Sequence, residues 1–324
     1  MSKMRERLEG FLFSARSTTW IALLRIGLGL QVTIYSLSLW SDWTYLFGAN
    51  SDSLISRDLS EAILSLDSSF IPRLGWLVTL GGQIGLSEQV TLKLAFGCLL
   101  CSGVCLLLGF LSRPAAIAAW FLHLAARSSG GLTTYGVDNF MTIGLFYLML
   151  CPLPDRYSID SWLWKRRTAD PRRIGFHQRV LQLHLCLIYF FGGLAKCLCA
   201  GWWNGNSMWR SLTRSPFNVI PADFLLRWSS LLPLIGIFIC IVEIGYPVFI
   251  WPKGTRNIWL ACVLAMHAAI GVTMGMYLFA LIMIVLNVAA FATNSTAIPF
   301  RKEQARTAGG LGNKSDDEEA PASV

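Results

Sequence analysis

The sequence predicts an all-α integral membrane protein, with about eight transmembrane helices in one bundle. Three observations point there. Hydrophobic residues make up 54% and charged residues 14% of the 324 positions, where soluble domains carry about 25% charged residues. Mean hydropathy is +0.52. The apolar residues gather into runs separated by short loops rich in lysine and arginine.

The runs lie at 18–40, 89–111, 114–128, 137–152, 178–200, 230–251, 257–275 and 277–293. The first is 23 residues long and would rise about 34 Å as a helix, enough for a hydrocarbon core of about 30 Å. The third and fourth are short, and need tilt or a break near Ser128–Gly136. Between the first two runs, "FIPRLGWLVTLGG" (Phe70–Gly82) is expected to lie as an interfacial helix, with a ninth, re-entrant segment as the alternative. Residues 1–17 form a charged N-terminal segment without a signal-peptide pattern, and 18–293 form the helical domain. In 294–324, glycine, serine, proline and charge predict a disordered tail.

Loop charge orients the bundle. Loop 153–177 holds Arg156, Lys165, Arg166, Arg167, Arg172 and Arg173. With this loop in the cytoplasm, the N-terminus, Arg113, Lys253, Arg256 and the tail fall on the same side. Both termini are then cytoplasmic, and loop 201–229 with its tryptophans is external. The net charge of +8 is spent in these loops, and no basic patch with interleaved aromatics suggests nucleic acid. The partner implied by composition is membrane lipid.

Ionisable residues inside apolar runs cost about 2.5–3.5 kcal/mol each on insertion scales. Arg25, Lys93, His123, Arg179, His184, Lys196, Glu243 and His267 are such residues. Arg25 and Glu243 fall at similar depth, which predicts a buried ion pair. Tyr189, Gly192, Gly193 and Lys196 recur at i, i+3, i+4 and i+7 and share one helix face. The two glycines allow a helix or ligand to approach closely. Lys196 is therefore either an anchor reaching to headgroups or a base made reactive by desolvation. Cys98-x-x-Cys101 sits in an apolar run without a second pair, so packing is expected. No metal-ligand spacing, P-loop, nucleophile elbow or dinucleotide fingerprint occurs.

"YFFGGLAK" (Tyr189–Lys196), followed by Trp202 and "NGNSM" (Asn204–Met208), resembles the lysine segment of vitamin K-dependent gamma-carboxylase and its bacterial relatives, which share the horizontally transferred transmembrane (HTTM) domain. In the same order, "LLRIGLGLQ" (Leu23–Gln31), "LLLGFLSRPAAI" (Leu106–Ile117), "YGVDNF" (Tyr135–Phe140), "LPDRYSIDSW" (Leu153–Trp162), "VEIGYPVFIW" (Val242–Trp251) and "LAMHAAIGVTM" (Leu264–Met274) resemble that family's helices and turns. The resemblance implies a base at Lys196, with Asp138, Tyr189 and His267 as further catalytic residues. It implies a reduced quinone as cofactor, near Gly192, Gly193, Glu243 and Arg25. Asp138 or Asn139 stands where the carboxylase has a functional histidine, so glutamate carboxylation does not carry over. The bare helical form is similar to SdpB-type proteins of the same superfamily. That likeness implies maturation, chaperoning or export of a secreted peptide precursor beside a small partner protein, in a bacterial-type plasma membrane.

Overall fold

The computed structural model describes residues 2–49, 54, 57–67, 70–130, 134–164 and 169–293. The expected disordered tail and the basic run Lys165–Arg167 lie outside the described residues. In chain order the helices are α1 (Ser2–Leu12), α2 (Thr19–Ser38), α3 (Trp43–Phe47), α4 (Arg57–Asp67), α5 (Leu74–Gln83), α6 (Glu88–Leu108), α7 (Ser112–Ser129) and α8 (Gly136–Leu150). They continue with α9 (Ile159–Trp164), α10 (Pro171–Cys197), α11 (Ala200–Trp203), α12 (Asn206–Thr213), α13 (Ala222–Arg227), α14 (Leu232–Phe249), α15 (Lys253–Met274) and α16 (Tyr277–Asn287). A π-helical turn, Val288–Ala292, prolongs α16.

Each of the eight apolar runs is a helix. Five segments are long and apolar enough to cross a membrane: Thr19–Ser38, Glu88–Leu108, Pro171–Cys197, Ser229–Phe249 and Lys253–Met274. Gly136–Leu150 and Tyr277–Ala292 are apolar but shorter. The segment expected at the interface holds α5.

Helix ends follow local chemistry. Ser87 accepts from the Val90 amide at the start of α6. Gly109, at φ 73°, closes α6 in the left-handed conformation that glycine adopts freely. Asp160 accepts from the Leu111 and Ser112 amides and the Ser112 hydroxyl, capping α7 from across the fold.

Small residues set the helix crossings. A Cβ at Gly103 of α6 would stand 2.9 Å from the Thr33 nitrogen of α2. One at Gly193 of α10 would stand 2.8 Å from the Ile244 nitrogen of α14. One at Gly271 of α15 would stand 2.9 Å from the Ala280 Cβ of α16. Such close approach substitutes for a hydrophobic drive that is weak between helices in lipid. α2 and α16 occupy the middle, with α6–α8 on one side and α10, α14 and α15 on the other.

The expected Arg25–Glu243 pair does not form. Arg25 Nε donates to Asp155 Oδ2 at 2.6 Å with both side chains fully buried, and Glu243 pairs with Lys196 at 2.6 Å. A desolvated guanidinium goes to the carboxylate that can also complete its hydrogen bonds. Arg25 Nη1 donates to the Leu106 and Leu107 carbonyls, and Nη2 to Asp155 Oδ1 and the Tyr157 carbonyl. Every branch of the fork is engaged within the fold.

Candidate functional site

Lys196 lies in the last turn of α10, and Glu243 in the second half of α14. Gly193 removes the bulk between the two helices, so the side chains meet. Lys196 Nζ donates to Glu243 Oε2 at 2.6 Å and to the Gly192 carbonyl at 3.5 Å. The Trp202 ring centre is 5.4 Å from the amine. The lysine side chain is 25% exposed and the glutamate 10%, so the pair is reachable but mostly dry. The amine is therefore committed to a carboxylate of the bundle and an aromatic ring. Gly192 is roomier than Gly193: a Cβ there would meet only Glu243 Oε2 at 3.5 Å and Lys196 Nζ at 3.8 Å.

Below this pair runs a buried polar chain that joins α10 and α14 to α15 and α16. Asn287 Nδ2 donates to the Met283 carbonyl at 2.8 Å, and a carbonyl can only accept, which fixes the amide orientation. Oδ1 therefore accepts from the Tyr246 hydroxyl at 2.7 Å. The other Nδ2 hydrogen goes to Tyr189 Oη at 2.8 Å. With that oxygen accepting, the Tyr189 hydroxyl is free to donate to His267 Nε2 at 2.7 Å. A neutral His267 then carries its proton on Nδ1, which is buried and has no hydrogen-bond partner among the described residues. The Tyr189 and Tyr246 rings pack with centres 4.1 Å apart.

An apolar cavity of about 820 Å³ opens between α14 and α15. Ile235, Ile239, Ala265, Ala269, Ile270 and Trp228 are among its lining residues, and Thr273 brings its one hydroxyl. Ile239 stands one helical turn before Glu243, and Met266 of the lining immediately precedes His267. The amphipathic α12 contributes Met208 and Leu212.

The structure thus gathers Lys196, Glu243, Gly192, Gly193, Tyr189 and His267. It does not bring Asp138 or Arg25 to them. Asp138 caps its own helix, accepting from the Tyr135 amide at 3.0 Å and the Tyr35 hydroxyl at 3.0 Å. It lines a separate cavity of about 170 Å³ with Tyr35, Arg127 and Tyr135. Its distance from the lysine follows from topology: α8 packs on α2, α7 and α16, while Lys196 is on the α10–α14 side. Sequence reasoning missed Asn287 and Tyr246. Both are neutral, and a search for ionisable residues passes over them. An asparagine inside the run "LIMIVLNVAA" was the available signal. Among the described residues, no group of three or more His, Cys, Asp or Glu is placed to hold a metal ion.

Fold and site together define a multi-pass helical membrane protein with a lysine–glutamate pair at one end of its bundle. A family model described as the HTTM domain matches residues 83–294. That is more than half of the chain, and the protein belongs to the HTTM family. No curated protein and no solved structure matches it.

Proposed function

We propose that this protein is a membrane-embedded modifying enzyme or maturation factor for a secreted peptide or a quinone-like substrate, with Lys196 as its base. The observation that carries this reading is the Lys196–Glu243 pair, 2.6 Å apart, whose glutamate stands on α14, a helix that also walls a large apolar cavity. An anchoring lysine needs no carboxylate beside it at that depth. A lysine that must give up its proton does. As a substrate displaces water, holding two separate charges becomes more costly. Transfer of the Lys196 proton to Glu243 leaves a neutral amine, which can accept a proton from the substrate. Tyr189 and His267 hold the wall beneath the pair through the buried chain ending at Asn287. Gly192 leaves room beside the amine.

The cavity fits the apolar tail of a prenylated quinone, since all but one of its lining side chains are apolar or small. When bound, a reduced quinone supplies an acidic phenolic hydroxyl. The chain's own part is to seat the tail between α14 and α15 and to receive the proton at Lys196 Nζ. A second reading, a non-catalytic chaperone or export component for a secreted peptide, is favoured by the same cavity. Its lining and the amphipathic α12 would equally cover an apolar peptide segment.

The test separates the two. Membranes holding the protein, given a reduced prenylated quinone and oxygen, are expected to consume the quinol faster than membranes lacking it. Lys196→Arg is expected to abolish the excess rate at unchanged protein level, because guanidinium stays protonated at physiological pH. Full activity of Lys196→Arg would return the lysine to an anchor. No excess consumption by the native chain would leave the peptide-binding reading.

A further inference from the structure

Three arginines meet at the end of the bundle opposite Lys196, and the proposed function uses none of them. The α1–α2 linker crosses the start of α10 there. The Arg16 amide donates to the Pro171 carbonyl at 3.0 Å. At Gly175 any Cβ would collide with the Ser14 carbonyl, and Arg16 Cγ would lie 3.3 Å away. Glycine at 175 thus allows the linker to press Arg16 against α10. One turn further on, the Arg179 guanidinium lies 4.1 Å from the Phe11 ring centre and 5.1 Å from that of Trp251. Its Nε donates to the Phe11 carbonyl at 3.0 Å and its Nη1 to Gln182 Oε1 at 2.9 Å. From the first turn of α15, Arg256 Nε donates to the Ile250 carbonyl at 3.2 Å and Nη2 to the Trp251 carbonyl at 2.6 Å.

The three charges act on one another. Arg16 and Arg256 both repel Arg179. Burial and then Arg256 hold Arg16 below the usual arginine range. Among the described residues, no carboxylate forms an ion pair with any of the three. Glu9, on α1, pairs with Arg5 at 2.8 Å. Asp170 accepts from the Arg172 amide at the start of α10. Arg179 Nη2, Arg256 Nη1 and the Arg16 guanidinium have no protein acceptor among the described residues. Like charges crowded in a half-buried site cost free energy unless an anion joins them. Neutral carbonyls and aromatic faces hold the forks in place without cancelling their charge. Guanidinium forks match the oxygens of a phosphate.

We propose that Arg16, Arg179 and Arg256 form a binding site for a phosphate group, walled by Phe11 and Trp251. Arg179 lies eight residues into α10, roughly 12 Å along its axis, and the other two arginines flank helix ends. That level suits the headgroup of an anionic phospholipid, and a free phosphate offers the same chemistry.

Native mass spectrometry of the full chain, released from bilayers of equal phosphatidylglycerol and phosphatidylcholine, tests this. The native protein is expected to retain phosphatidylglycerol selectively. The Arg16→Gln/Arg256→Gln variant is expected to lose about tenfold in that retention, as two charge-assisted partners go. Arg179 is left in place because it also holds Phe11. Lys253→Gln, which removes a charge on the same turn outside the site, is expected to change nothing. If the double variant does not accumulate, Arg16→Lys keeps the charge without the fork and is expected to fall between. Should no lipid be retained selectively, millimolar inorganic phosphate that raises the thermal midpoint of the native chain, but not of the variant, would assign the site to free phosphate. Equal retention of both lipids with no phosphate effect would overturn the proposal. So would an equal loss in Lys253→Gln, which would mean diffuse positive charge.

Discussion

Two neighbouring glycines do different work. At Gly193 a Cβ would stand 2.8 Å from the Ile244 nitrogen and 2.9 Å from Glu243 Cβ, and neither atom can yield without moving α14. At Gly192 the nearest atoms are the ends of two flexible side chains at 3.5 and 3.8 Å, which is ordinary contact. Gly193→Ala is therefore expected to lower the thermal midpoint measurably, and to part Lys196 from Glu243. Gly192→Ala is expected to leave the midpoint nearly unchanged while crowding the amine, and so to affect substrate handling alone. Sequence spacing put both glycines on the lysine face correctly, but which one touches backbone depends on the partner helix. Asn287 is the residue whose loss should reach furthest. Asn287→Leu leaves the Tyr246 hydroxyl without an acceptor and removes a donor from Tyr189. Each buried orphan costs about 1–3 kcal/mol, readable as a loss of stability in detergent or urea.

At the level of elements, the loop between α8 and α9, with the first turn of α9, acts as a clamp rather than a connection. Asp155 holds Arg25 of α2, and Asp160 caps α7. Arg25 in turn holds the last carbonyls of α6. One short segment thus ties the end of α6 and the start of α7 to α2. Arg25→Met would strand the Asp155 carboxylate in a dry site and is expected to cost about 3–5 kcal/mol. Arg25→Met/Asp155→Leu should recover much of that loss, since an apolar pair of similar volume often replaces a buried ion pair without penalty. Recovery is measured as folded protein in the membrane fraction. This also marks where sequence was legible. All eight apolar runs became helices because length and hydropathy act locally. The partner of Arg25 was assigned wrongly because depth along a helix says nothing of which helices are neighbours. Asp155 sat in a stretch that read as a polar loop, and only the fold turns it inward.

For the whole molecule, orientation is the property on which the proposed chemistry depends. The lysine and arginine bias predicts loop 153–177 in the cytoplasm and loop 201–229 outside. The end with Arg16, Arg179 and Arg256 gathers cations, while Lys196 at the other end is neutralised by Glu243. Placing the arginine end in the cytoplasm sets it against the more anionic leaflet and turns the Lys196 site outward, where a secreted substrate would meet it. Ser215 and Tyr157 are both exposed and lie on opposite sides in this topology. In a chain whose exposed Cys98, Cys101 and Cys199 are replaced by serine, Ser215→Cys is expected to react with an impermeant thiol reagent in intact cells. Tyr157→Cys is expected to react only after the membrane is opened. Labelling of Tyr157→Cys but not Ser215→Cys would invert the bundle, move the Lys196–Glu243 pair to the cytoplasmic face, and leave a secreted peptide without access to it.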